Sequence, residues 1–140
     1  MRRYLVIANQ TLVCEPLLAQ VRQAMSWGAC EFHLVVPATP PREHLTWTEG
    51  EAHTIAENRL AEGMALMRAE GAQVTGEVGD AHPMLAVDDA LRAERYDEVI
   101  ISTLAPGVSR WLKLNLPDRV HRRYGLPVTH VVTESVGTES

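Results

Sequence analysis

The sequence predicts an α/β fold, a three-layer sandwich in which helices cover both faces of a five-stranded parallel sheet. Two apolar runs, residues 4–8 and 99–101, are continuous rather than alternating, as is typical of strands buried on both faces. Strand-like and helix-like segments alternate along the chain, which indicates parallel strands joined by right-handed crossovers. The hydrophobic share of 46% and the charged share of 22% are those of an ordinary globular protein.

The first three elements are a strand, a helix and a second strand. Residues 4–8 form the first strand. Pro16 suits the first turn of the helix that follows, and Gly28 is placed to end it. Its apolar residues recur at helical spacing, which predicts a buried face made of Leu17, Leu18, Val21 and Met25. The second strand covers residues 32–36.

A long helix and an edge strand come next. The stretch 37–41 is rich in proline and interrupts regular structure. Thr48 and Glu51 then form a capping box, and Gly71 ends the helix that it opens. The predicted inner stripe of this helix is Ala52, Ile55, Ala56, Leu60, Met64 and Met67. Within residues 74–78, apolar or small residues alternate with polar ones, which predicts a third strand near an edge of the sheet.

The second half contains two helices and two strands. Asp80 is predicted to cap the third helix, whose inward residues are Met84, Val87 and Leu91. The fourth strand includes residues 99–101, and the long polar loop 102–114 follows it. Asn115 reads as an N-cap with Pro117 in the first turn of a helix from Leu116 to Tyr124, which Gly125 stops. Residues 127–132 form the fifth strand.

Strand composition predicts the order of the strands in the sheet. The first and fourth strands are the most apolar and belong in the centre, whereas the alternating third and the polar-interrupted fifth belong at the edges. This gives the order 3-2-1-4-5. We expect one domain over residues 1–133, followed by a polar C-terminal tail over residues 134–140.

Composition excludes several classes of function. The net charge of −5 argues against a nucleic-acid partner, and no apolar run approaches the roughly 18 residues of a membrane helix. The N-terminus enters a strand at once, which leaves no room for a signal peptide, so we expect a cytoplasmic protein without a membrane partner. Cys14 and Cys30 lack metal-ligand spacing, and no HxH or HxxxH pair exists, so no metal site is expected.

The expected ligand site is the crevice where the strand order reverses, at the carboxyl ends of the first and fourth strands. Asn9, Gln10 and Thr11 follow one strand, and Ser102 and Thr103 follow the other. The helix that begins near Asn115 points free amide groups toward this region, which suits an anion. Within the loop, Gly107, Ser109, Arg110 and Lys113 are further candidates for contact with a ligand.

Other polar groups have simpler explanations. Asp88 and Asp89 are adjacent and point apart on a helix, so a solvated face is expected rather than a catalytic pair. Arg119, Arg122 and Arg123 lie at i, i+3 and i+4, which predicts one exposed helix face with Asp118 beside it, the alternative being a phosphate-binding role. Ser109 lacks the GxSxG pattern of a hydrolase nucleophile. Trp111 is expected to close the loop by burying its ring. No catalytic residue is predicted.

The order of elements and the ending RVxxxxGxPVxHVV (Arg119 to Val132) resemble the universal stress protein family over nearly the whole chain. The resemblance implies a small α/β domain of the stress response that forms a homodimer through its last strand. Some members of that family bind ATP through a Gly-x-x-Gly, nine-residue, Gly-Ser/Thr loop. Those positions fall here on Ile101, Leu104, Leu114 and Asn115, so all three glycines are replaced.

The lost glycines bear on the ligand because glycine permits close backbone approach to phosphate. The family's acid after the first strand falls on Asn9, which can hydrogen-bond a ribose, and the residue near adenine falls on Val36. The candidate ligand-binding residues are Ala8, Asn9, Gln10, Thr11, Val36, Ser102, Thr103, Gly107, Ser109, Arg110 and Asn115. The sequence therefore disfavours ATP bound in the family's usual pose. It predicts no specific cofactor.

The sequence favours a non-catalytic module that binds a small ligand or a partner. The alternative is a protein that binds ATP or another adenine nucleotide, with or without hydrolysing it, through a rebuilt loop over residues 102–115. That loop contains no acid to hold the metal that phosphate chemistry normally needs. A phosphorelay receiver is disfavoured because Asn9 and Gln10 stand where it needs acids, and Thr133 stands where it needs lysine.

The fifth strand has one edge free, and free edges tend to be covered or paired. We therefore expect a homodimer through this strand, with Val128, His130 and Val132 at the interface.

Overall fold

Five parallel strands form one sheet in the order β3-β2-β1-β4-β5, as the sequence predicts. The computed structural model describes residues 1–9, 11–12, 14–38, 49–104, 111 and 114–134. The strands are β1 (Arg2–Ile7), β2 (Cys30–Pro37), β3 (Val74–Gly79), β4 (Glu98–Leu104) and β5 (Val128–Thr133). Four helices lie in the described ranges: α1 (Glu15–Ser26), α2 (Glu49–Ala69), α3 (Pro83–Ala93) and α4 (Leu116–Tyr124). The predicted α/β sandwich is therefore confirmed.

Each face of the sheet carries its own apolar layer. Helices α1 and α2 cover one face, and α3 and α4 cover the other. The first layer includes Tyr4, Val6, Leu17, Val21, Phe32, Leu34, Ala56, Met67 and Ile100. The second includes Leu5, Ile7, Val87, Val99, Ile101, Leu116 and Val120. Successive residues of β1 alternate between the two layers, because side chains of a strand point to opposite faces in turn.

The predicted start of the loop after β4 is wrong. Ser102 and Thr103 belong to the strand, which continues to Leu104. The reason is pairing with the edge strand, because Ser102 lies opposite Val131 and Leu104 lies opposite Thr133. Backbone hydrogen bonding to a neighbouring strand extends β4 past the point where its apolar run ends.

Two predicted helix caps also differ in the structure. The cap of α3 is His82, whose Nδ1 accepts from the Met84 amide at 3.2 Å, and Asp80 instead accepts from the His82 amide at 2.9 Å. Asn115 does precede α4, but its φ of 56° is left-handed and its side chain makes no capping hydrogen bond. Asparagine tolerates this conformation better than most residues.

The expectation of a solvated face at Asp88 is wrong. Asp88 is 8% exposed and lies between α3 and α4. Its carboxylate accepts from Arg123 Nη1 at 2.8 and 3.1 Å and from the Tyr124 hydroxyl. Asp89 is exposed and pairs with Arg92 at 3.6 Å. Asp88 therefore ties together the two helices that cover one face.

Other expectations are confirmed or lie outside the described residues. Trp111 is buried in the apolar layer of α3 and α4, as predicted. Gly125 ends α4 with a φ of 68°, a conformation that glycine adopts without steric cost. Thr48, half of the predicted capping box, is not among the described residues. Of the helices in the described ranges, none has the length and apolar character needed to cross a bilayer.

Two glycines of β3 allow helices to approach the sheet and yield a stability prediction. A Cβ on Gly79 would lie 2.8 Å from Val35 Cγ1 and 2.9 Å from Ala86 Cβ, atoms fixed close to the backbone. We expect Gly79→Ala to lower the free energy of unfolding by about 1–3 kcal/mol through overpacking. Urea denaturation measures the loss.

Gly76→Ala is the matched comparison. Its added Cβ would meet Leu60 Cδ1 at 2.6 Å and Met64 Sδ at 2.9 Å, which are ends of flexible side chains that can rotate away. It would also lie 3.1 Å from the Leu34 carbonyl oxygen, a backbone contact that is less tight than the contacts at Gly79. We expect a smaller loss than for Gly79→Ala. An equal or larger loss would show that α3 can shift away from the sheet more easily than these side chains can repack.

Candidate functional site

The candidate site lies at the carboxyl ends of β1 and β4, which are neighbours at the centre of the sheet. Ile7 of β1 lies opposite Ile101 of β4. After β1 the chain continues into α1 on one face, and after β4 the next described helix, α4, covers the other. This divergence is the topological switch point at which open parallel sheets bind ligands. The sheet therefore has a switch point between β1 and β4, where the sequence predicts the crevice.

A pair of buried hydroxyl groups joins the two sides of this switch point. The Thr11 Oγ1 and Ser102 Oγ atoms are 2.6 Å apart, and the two residues are 2% and 1% exposed. The structure thus brings together two predicted site residues that are 91 positions apart in sequence. Each hydroxyl satisfies the other where water does not reach.

Asn9 is held by contacts to two other elements. Its Nδ2 donates to the Pro37 carbonyl at the end of β2 at 2.9 Å, and its Oδ1 accepts from Arg59 Nη1. These contacts fix the orientation of the amide at the end of β1. They also place a guanidinium of α2 beside the candidate site.

Sequence reasoning missed Arg59, which lies 50 positions from Asn9. A signal was present, because Arg59 comes four residues after Ile55 and so continues the line of the inward stripe of α2. The side chain is half-buried. A basic residue that continues the inward stripe of a helix is therefore a sequence signal for such a contact.

Thr103 does not face the same side as Ser102. Its hydroxyl donates to the Leu104 carbonyl at 2.8 Å and lies 2.8 Å from His130 Nε2, which therefore acts as the donor. Adjacent strand residues point to opposite faces, so Ser102 meets Thr11 while Thr103 meets the edge strand. Burial lowers the pKa of His130, which favours the neutral ring near pH 7.

The remaining predicted residues fall into three groups. Ala8 and Val36 are fully buried in the layer under α1 and α2. Asn115 is exposed, and its carbonyl accepts from the Arg119 amide at 3.0 Å. The other predicted contacts are outside the described residues, and they are Gln10, Gly107, Ser109 and Arg110.

Two of the positions matched to the family's glycines lie in the sheet rather than in a loop. Ile101 is a buried residue of β4 between Ile7 and His130, and Leu104 is the last residue of that strand. Among the described residues, no group of three or more His, Cys, Asp or Glu side chains is placed to hold a metal ion. The described residues of the site therefore offer hydrogen bonding and one nearby guanidinium.

Comparison with solved structures identifies the fold. A universal stress protein in complex with cAMP superposes with a TM-score of 0.61 at 18% identity, covering 95% of this chain and 98% of that one. A universal stress protein from Archaeoglobus fulgidus superposes with a TM-score of 0.63 at 14% identity, covering 94% and 93%. No family model and no curated protein sequence matches. The chain has the fold of the universal stress proteins.

The buried hydroxyl pair gives a prediction about stability. Ser102→Ala leaves the Thr11 hydroxyl without its partner, and we expect it to lower the free energy of unfolding by about 1–3 kcal/mol. Thr11→Val/Ser102→Ala removes both hydroxyl groups, and we expect it to recover most of that loss. Urea denaturation of the two single variants and the double variant completes the cycle. Additive losses would contradict a direct bond between these hydroxyls.

Proposed function

We propose that this universal stress protein-like domain is a non-catalytic module that binds a small ligand at the carboxyl ends of β1 and β4. The ligand class that we favour is an adenine nucleotide with a single phosphate, such as cAMP. The observation that carries the proposal is the fixed amide of Asn9, held by the Pro37 carbonyl and Arg59 at the switch point. A pre-oriented amide binds a sugar hydroxyl with little loss of side-chain entropy.

Charge and fold support this ligand class. Arg59 brings a positive group to the same edge of the sheet, and a guanidinium suits a phosphate oxygen. A solved protein of the same fold holds cAMP, over a match that spans nearly the whole of both chains. A monophosphate needs fewer backbone amides than a triphosphate, so it places a smaller demand on the loop after β4.

The alternative is a protein that binds ATP, with or without hydrolysing it, through a rebuilt loop over residues 102–115. We disfavour it because Gly107 is the only glycine between Gly79 and Gly125. Close approach of backbone amides to three phosphates relies on glycine at more than one position. Ile101 and Leu104 stand where the family has glycine, and both are paired with β5 in the sheet.

Nucleotide titration tests the proposal. We expect isothermal titration calorimetry to show saturable binding of cAMP or AMP and weaker binding of ATP with Mg²⁺. Asn9→Ala removes the amide and should weaken monophosphate binding by about two- to tenfold, the effect of one hydrogen bond. No phosphate release is expected with ATP.

Asn58→Ala is the matched control, because Asn58 is an exposed asparagine of α2 next to Arg59. We expect it to bind like the unmodified protein. If Asn9→Ala and the parent bind the monophosphate with equal affinity, the crevice is not the binding site. ATP turnover would instead establish the alternative.

We also propose a homodimer through β5. This strand forms one edge of the sheet, and α1 and α4 cover its two faces. The Val99 amide donates to the Pro127 carbonyl at 3.0 Å, so the backbone of Pro127 faces β4. Since backbone groups alternate along a strand, Val128, His130 and Val132 direct theirs to the free edge. A two-fold axis would pair these groups with their equivalents in a second copy.

Proline substitution tests the dimer. Val132→Pro removes an outward N–H without removing a bond to β4, and proline is tolerated at such edge positions. We expect size-exclusion chromatography with light scattering to change from dimer to monomer. Val132→Ala keeps the N–H and should remain dimeric. A monomeric parent protein, or a dimeric Val132→Pro, would contradict pairing through β5.

A further inference from the structure

An open surface cavity between α3 and α4 is lined, among the residues that the structure describes, mainly by arginine. Its volume is ≈ 350 Å³, and its lining residues are Met84, Arg119, Arg122 and Arg123. This volume falls in the range of small-molecule sites. The three arginines are exposed, whereas Met84 is buried. A concentration of positive charge in one cavity is notable on a chain whose net charge is −5.

The spacing of the arginines explains why they converge. Positions 119, 122 and 123 differ by three and four residues, so the side chains share one face of α4. An adjacent face of the helix is anchored in the core by Leu116 and Val120, which are both fully buried. The arginine face therefore has a fixed direction toward α3.

Nearby acids balance this charge only in part. Arg123 pairs with Asp88 at 2.8 Å, and Arg122 lies 3.7 Å from Asp118. The Arg122–Asp118 pair is exposed on both sides, and such pairs contribute little. Arg119 Nη1 reaches the Leu114 carbonyl at 3.4 Å, a neutral partner. Three cations against two carboxylates leave a positive balance in the cavity.

Asp88 also gives one arginine a fixed position. The second hydrogen-bond donor to the Asp88 carboxylate is the Tyr124 hydroxyl. Burial and the hydrogen bond to Asp88 raise the pKa of Tyr124 to about 12. The phenol therefore stays protonated near neutral pH and keeps donating. With Asp88 held by both groups, Arg123 is oriented beside Arg119 and Arg122, which are both exposed. Pre-oriented guanidinium groups bind tetrahedral oxyanions through paired N–H donors.

We propose that the α3–α4 cavity is a second binding site, separate from the crevice, that takes a phosphate group. A phosphate dianion offers several acceptor oxygens to the arginines, and its charge is opposite in sign to their excess charge. Met84 adds an apolar wall, which suits a phosphate carried on a small organic molecule. The proposal does not depend on the nucleotide site.

Titration with two probes tests the cavity at constant ionic strength. Inorganic phosphate and phenyl phosphate are each titrated calorimetrically into the full chain. We expect saturable binding to the parent protein. In Arg119→Gln/Arg122→Gln we expect the affinity to fall by about tenfold or more, because hydrogen bonds to charged groups are strong. Tighter binding of phenyl phosphate would identify a phosphomonoester as the ligand, and equal binding would identify free phosphate.

The control is Arg68→Gln/Arg95→Gln, which removes the same charge from two exposed arginines outside the cavity lining, Arg68 lying on α2 at the other face of the sheet. We expect its affinity to stay within about twofold of the parent, because a cavity site does not depend on distant exposed charge. Equal weakening in both double variants would overturn the proposal in favour of diffuse electrostatic attraction, and so would absence of saturable binding to the parent.

The two proposed sites are distinguished by testing each variant with the ligand of the other site. Asn9→Ala should keep phosphate binding, and Arg119→Gln/Arg122→Gln should keep its nucleotide binding. Loss of phosphate binding in Asn9→Ala would show that the probe occupies the crevice and would overturn the second site. Thermal unfolding of each variant checks that the exposed substitutions leave the fold intact.

Discussion

The burial of both faces of β1 and β4 is the constraint on which the rest of the structure depends. Residues 4–7 are at most 1% exposed, and residues 99–101 are fully buried. A parallel sheet with such strands at its centre needs an apolar layer on each side. That requirement places α1 and α2 on one face and α3 and α4 on the other, and it makes the chain diverge between β1 and β4.

The same constraint decides where polar chemistry can occur. Inside the sheet, both faces are occupied by aliphatic side chains, so polar groups collect where the strands end. There they bond to one another, as the Thr11–Ser102 and Asn9–Pro37 contacts illustrate. Buried polar groups of this kind must be paired, because an unpaired one costs more than a bond gains. In its described residues, the candidate crevice is consequently lined by polar side chains whose positions are fixed by hydrogen bonds.

Helix α4 combines a structural role with a chemical one. Its inner residues fill the core under β4 and β5, and its outer residues present three arginines. Asp88 of α3 links these roles, because its bond to Arg123 both joins two helices and orients a cation. A single buried carboxylate thereby shapes the α3–α4 cavity. Removing it would leave the arginine beside it without its main counter-charge.

The sequence by itself determined the fold class, the strand order and the inward stripes of the helices, because hydrophobic periodicity reports burial directly. It also placed Asn9, Thr11 and Ser102 near one another, since carboxyl ends of central strands meet. Only the tertiary structure decided the partners, such as Arg59 on Asn9 and Arg123 on Asp88. Such contacts join residues more than 30 positions apart, and a pattern local to one element carries no information about which distant side chain will lie opposite.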